Sequence, residues 1–168
     1  MADSHQKFPV SVRRASATDK EAIVDWYRDT ISTILFGKSH SHSSAELTAI
    51  LKKTFEDKNQ TLLIGSFDNV RIGAVLLQQT SPKRYQAFAY IRPPYGRKKM
   101  LARLVHSAAQ FVWSELAAES ITIKSAIPGN VLRRIFSAAD GLGDACQLQF
   151  IDENTQNGSL VMTRGIPA

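Results

Sequence analysis

The stretch "IRPPYGRKKMLARLV", Ile91 to Val105, holds two prolines, a glycine and five of the chain's twenty-one Lys and Arg residues. Before it, "YQAFAYI" reads as a strand. After it, Leu101, Leu104, Val105, Ala108, Val112 and Leu116 recur every three or four residues, the spacing of one apolar helix face. Pro93 and Pro94 have no N–H to give to a ladder, so the strand must end there. The spacing predicts a helix starting near Arg97 or Lys98. Its first-turn amides lack intrahelical acceptors and its dipole is positive at that end, so cations are normally unwelcome there. Arg97, Lys98 and Lys99 occupy it consecutively, with Arg103 further along. Such a local conflict points to an anion bound at this elbow.

Working outward, "VSVRRA" alternates as a strand, and Thr18 with Glu21 forms a capping-box spacing that predicts a helix start. Ala22, Ile23, Trp26 and Tyr27 fall on one face of that helix, and Ser43 with Glu46 opens a second, shorter one. "TLLIGSF" and "VRIGAVLLQQ" flank Asp68-Asn69, a pair that tolerates the positive φ of a tight hairpin. "SPKR" turns the chain into the next strand, with Pro82 suited to the second corner. After the long helix come the strand "SITIKSAI", a short helix between Asn130 and Gly141, and the strands "ACQLQFI" and "SLVMTRGI". The order is strand, two helices, three strands, helix, strand, helix, two strands. It predicts an α/β fold with a mixed, mostly antiparallel, twisted sheet of about seven strands and about four helices. The long helix provides a parallel crossover. Residues 1–9 are expected to be flexible and residues 10–168 to form one domain.

A formal net charge of +6 favours an acidic partner. No apolar run is long enough for a membrane span, so no membrane partner is expected. Cys146 is the one cysteine, which excludes an internal disulfide and fits a cytoplasmic setting. No metal is expected: His40 and His42 have no nearby cysteine or carboxylate to complete a ligand set. No glycine-lysine phosphate loop or dinucleotide glycine triad occurs. His106 lies beside the apolar stripe of the long helix and reads as a partly buried helix residue, while Asp25, Trp26 and Tyr27 read mainly as packing.

This order of elements, with Pro94, Arg97 and Ala102 matching the pattern Pro-x-x-Arg/Gln-x-x-Gly-x-Gly/Ala, resembles the GNAT superfamily of acyl-CoA-dependent N-acetyltransferases. Met100 stands at the central glycine of that pattern. Asn130 and Gly141 keep the spacing of a second family element, in which Ser137 takes the place of a tyrosine. The resemblance implies that acetyl-CoA or coenzyme A is the cofactor. It would be held by Arg97, Lys98, Lys99, Met100, Leu101, Ala102 and Arg103, with Ile91 lying along pantetheine and Asn130 contributing from the next helix. A cleft for pantetheine is expected where the fourth and fifth strands part after Ile91. Ser137 and Tyr90 are the candidates for proton transfer, and an amine is the acceptor. "YQAFAYI" carries no carboxylate, although many members of the family place their base there. That leaves open a non-catalytic acetyl-CoA-binding regulator of a protein partner. A nucleic-acid partner at the basic elbow is a third reading, but the chain carries no known reading motif.

Overall fold

The computed structural model describes residues 10–27, 44–95, 98–124, 129–137, 146–151 and 159–164. Along the chain these form β1 (Val10–Arg14), α1 (Lys20–Tyr27), α2 (Ser44–Glu56), β2 (Gln60–Phe67), β3 (Val70–Ser81) and β4 (Arg84–Ile91). Then follow α3 (Lys98–Glu115), β5 (Ser120–Lys124), α4 (Gly129–Ser137), β6 (Cys146–Ile151) and β7 (Ser159–Arg164). One sheet takes all seven strands in the order β1-β2-β3-β4-β5-β7-β6. Its described pairs are antiparallel except β4 with β5, which run parallel from Arg84–Ser120 to Phe88–Lys124. This is the crossover expected from the long helix. Residues 125–128 lie outside the described residues, so the expected parting of β4 and β5 does too.

The meander forms where its turn residues permit. Asp68 and Asn69 both have positive φ (50° and 63°), the conformation a two-residue hairpin demands. Lys83, after Pro82, has φ 67°. The helical run is capped two residues before the Thr18 and Glu21 pair. A 3-10 turn at Ala17–Asp19 precedes α1, and Ser16 with Asp19 closes the cap. The Ser16 backbone N–H donates to Asp19 Oδ2 at 2.8 Å. A short acid three residues past a serine does the work expected of Glu21, because Asp19 is also claimed by arginines from two strands.

Strand alternation divides the core in two. Leu63, Val75, Leu77, Ala87 and Ala89 face α3, where Leu104, Val105, Ala108 and Val112 cover them. Leu62, Ile64, Ala74, Leu76 and Tyr90 face the other way, toward Ile23 and Trp26 of α1 and Leu51 of α2. Two glycines let the layers close. A Cβ at Gly65 would overlap the Leu104 side chain, and one at Gly73 would overlap the Tyr90 carbonyl oxygen. The register of β2 and β3 slips at this point: Gly65 pairs with Gly73, but Ser66 pairs with Arg71. Such a bulge re-aims side chains. Ile72 joins the α3-side core. Arg71 turns instead to the α1 side, where it reaches Asp19.

Candidate active site

Two basic regions lie at the end of the sheet where β4 exits. The first is the elbow. The Arg92 N–H donates to the Ile72 carbonyl at 2.7 Å, extending the ladder by one bond. A 3-10 turn at Pro93–Tyr95 then reverses the chain, and α3 starts at Lys98. Proline cannot continue the ladder, which is why the strand stops here. Within α3, Ala102 is fully buried, and Met100 and Leu101 pack against the α3-side core. Their side chains therefore point away from the helix end. The first-turn N–H groups of such a helix align along its axis and have no intrahelical acceptor. A methionine in place of glycine at position 100 keeps its amide and directs its bulk inward. Arg103 is half-buried, and Ile91 is buried at the end of β4.

The other expected residues are placed as follows. Arg97 lies outside the described residues, as do the side chains of Lys98, Lys99 and Ser137. Asn130 is exposed in the first turn of α4, and its Oδ1 accepts the Val131 N–H at 2.9 Å. Tyr90 is 1% exposed, on the opposite sheet face from α3, with its ring centroid 5.9 Å from that of Trp26. His106 is half-buried in α3. Its Nε2 is buried without a hydrogen-bond partner, and burial pulls its pKa below the usual imidazole value. Gly141 and the "HSHSS" loop lie outside the described residues.

The second region is a cleft of about 1020 Å³ on the α1 side, walled by Arg13 of β1, Asp25 and Trp26 of α1, Arg71 of β3, and Arg92 and Pro94 beyond β4. Asp19 organises it from below. This carboxylate is 0% exposed and is nevertheless fully satisfied. Arg13 grips it with both terminal nitrogens at 2.7 and 2.8 Å, and Arg71 donates Nε to Oδ1 at 2.8 Å. The Arg13 hydrogen bonds hold the Asp19 carboxyl well below the usual carboxylate range, against the opposing effect of burial, with Ser16 and Arg71 adding to them. The same contact raises Arg13. Arg92 is fixed differently. Its Nη1 donates to the Arg71 carbonyl at 2.9 Å, and its guanidinium lies 5.9 Å from the Trp26 ring centroid and 5.7 Å from that of Tyr95.

Composition and spacing did not point to this cleft. Its arginines are distant in sequence, and simple alternation along β3 would turn Arg71 toward α3, on the side of Val75 and Leu77. The one available signal was Gly73 within an otherwise apolar strand, which often marks a bulge.

Neither a protein-family model nor a curated sequence matches the chain. Solved structures do. A spermidine N-acetyltransferase from Vibrio cholerae, in complex with CoA and spermine, superposes with a TM-score of 0.69 at 14% identity, over 91% of this chain and 93% of that one. The chain has the GNAT fold. The aminoglycoside acetyltransferase AAC(6')-Ib, in complex with paromomycin and acetyl-CoA, gives a TM-score of 0.69 at 14% identity, over 93% and 94% of the two chains. The Campylobacter jejuni N-acetyltransferase PseH gives 0.61 at 12% identity, over 93% and 99%. The chain is thus a GNAT-fold protein with 12–14% sequence identity to these structures.

Proposed function

We propose that this protein is an acyl-CoA-dependent N-acetyltransferase that moves an acetyl group from acetyl-CoA to a small-molecule amine. The observation that carries the reading is the start of α3. An 18-residue helix begins at Lys98, shortly after β4 ends at Ile91, with Met100, Leu101 and Ala102 turned into the core. A diphosphate fits such an end, because unpaired amides and the helix dipole both favour an anion. Structural neighbours crystallised with CoA or acetyl-CoA support the same cofactor here. Residues Arg97 to Arg103 would hold the diphosphate, Ile91 would lie along pantetheine, and Asn130 would contribute from α4.

When bound, acetyl-CoA supplies an activated acyl carbon, whose C–S bond breaks as the amine nitrogen bonds to that carbon. The chain must orient the amine, take its proton and return one to the departing sulfur. Ser137 is the proposed donor or water-orienting group, a weaker acid than a phenol. Transfer should therefore be modest, since a positioned acid or base contributes about 10²–10⁴-fold. The single cysteine and the absence, among described residues, of a helix long and apolar enough to cross a membrane support a cytoplasmic setting.

A second reading is a non-catalytic acetyl-CoA-binding regulator. One observation favours it: Tyr90, the phenol nearest the end of β4, is enclosed against Trp26. Calorimetry with coenzyme A, followed by transfer assays with mixed amines on wild type and Ser137→Tyr, separates the two. The enzyme reading expects coenzyme A binding and measurable transfer that rises or survives in Ser137→Tyr. Binding with no transfer before or after the change would establish the regulator, and no binding would overturn both.

A further inference from the structure

The α1-side cleft carries Arg13, Arg71 and Arg92 against the carboxylates of Asp19 and Asp25. Asp19 is wholly committed beneath the wall, where both of its oxygens accept arginine hydrogen bonds. What faces the space is net positive. A polyamine or an aminoglycoside, being a polycation, would meet repulsion there. An oxyanion would meet donors already held in place.

That second property matters more than the charge count. Among the described residues, Arg71 spends Nε on Asp19, and Arg92 spends Nη1 on the Arg71 carbonyl, which leaves most of their N–H donors for a ligand. Their side chains are already restrained. Arg71 is tied to a buried carboxylate, and Arg92 lies between the Trp26 and Tyr95 rings. An arginine fixed in advance loses little further entropy when it grips a carboxylate or phosphate. Ser11, Ser66 and Asn69 add neutral polar groups to the same wall, and about 1020 Å³ is ample for a small metabolite.

Position ties the cleft to the chemistry. Arg92 and Pro94 are the residues that follow Ile91, so the cleft opens at the end of β4 from which α3 also starts. We propose that this cleft is the acceptor site, and that the acceptor is an amine that also carries an oxyanion, either carboxylate or phosphate, gripped by Arg71 and Arg92. Asp25 lies on the α1 wall of the same cleft. This specificity rests on the acetyltransferase reading and narrows its substrate class.

The test measures binding to the full chain loaded with coenzyme A, using β-alanine, phosphoethanolamine, butylamine and spermidine as probes. The proposal expects β-alanine or phosphoethanolamine to bind about tenfold tighter than butylamine, and spermidine to bind no better than butylamine. Which of the two oxyanion probes binds distinguishes a carboxylate acceptor from a phosphate one. Arg92→Gln should remove about tenfold of that affinity and far less of butylamine's, and Arg92→Lys should recover part of the loss. Binding of spermidine or butylamine as tight as that of the oxyanion amines would overturn the proposal, as would an Arg92→Gln variant that binds all four like wild type. In either case intact coenzyme A binding leaves the transferase reading standing. Arg92-dependent binding of an oxyanion amine without coenzyme A binding would overturn the transferase reading and leave the anion site.

Discussion

The elbow and the cleft are both basic, and they meet at Arg92 and Pro94, yet they are built in opposite ways. At the elbow the charges are consecutive in sequence, Arg97 to Lys99, and stand on a helix end whose own dipole opposes them. In the cleft they come from three separate strands or strand ends: Arg13 and Arg71 are tied together by one buried carboxylate, and Arg92 is held by the Arg71 carbonyl. A lysine ammonium is a strongly hydrated point charge on a flexible stem, so consecutive lysines suit a diffuse field. Arginines anchored on Asp19 act as fixed donors. The first arrangement suits a long, flexible, highly charged molecule; the second suits a compact oxyanion that must be aligned.

The largest effect should come from the anchor. Asp19→Asn leaves Arg13 and Arg71 with an uncompensated share of charge over a neutral amide. Because both arginines are about half exposed, water offsets part of that, and the expected loss is about 3 kcal/mol in denaturant unfolding. A loss below about 1 kcal/mol would mean that the arginines are simply solvated, and the contrast between the two regions would dissolve.

The same anchor sets an acid limit. The Asp19 carboxyl is depressed in the folded state, so the unfolded chain binds the proton more readily. Its contribution is fully present above about pH 5 and drains away as pH falls through about 4 and below. Unfolding midpoints measured across that range should decline more steeply for wild type than for Asp19→Asn. Parallel curves would assign the acid sensitivity to other carboxylates.

At the elbow the expected changes are smaller and concern binding alone. Lys98→Glu and Lys99→Glu should each weaken coenzyme A about fivefold at low salt, with the difference shrinking at high salt and the melting temperature unmoved. Salt-insensitive losses would indicate fixed, desolvated contacts like those of the cleft. The smallest effect belongs to a pair with neither property. Lys83 and Glu119 meet at 3.4 Å with both side chains more than half exposed, at 63% and 69%. Glu119→Gln should change stability by less than about 0.5 kcal/mol in the same unfolding assay, which gives the baseline against which Asp19 is read.

Local chemistry accounts for how much of the molecule was legible before folding was considered. The hairpin at Asp68-Asn69, the strand end at Pro93-Pro94 and the start of α3 at Lys98 each follow from a property of the residues present: tolerance of positive φ, a missing N–H, apolar spacing at the helical period. The elbow was legible for the same reason, since its charges are neighbours in the chain. The cap of the first helix was misplaced by two residues. Thr18 and Glu21 satisfy the spacing rule as well as Ser16 and Asp19 do, and arginines from β1 and β3 decide between them.

By itself, then, the sequence determined the order of elements, the parallel crossover and the basic helix end, because each depends on interactions within a few residues or on a period. Only the tertiary structure decided that Arg71 faces α1, through the slip between Gly65 and Ser66. It alone brought Arg13, Arg71 and Arg92 to one wall and enclosed Tyr90 against Trp26. Those outcomes depend on strand register, and register is set by how the two cores close around the sheet, an energy shared among residues far apart in the chain.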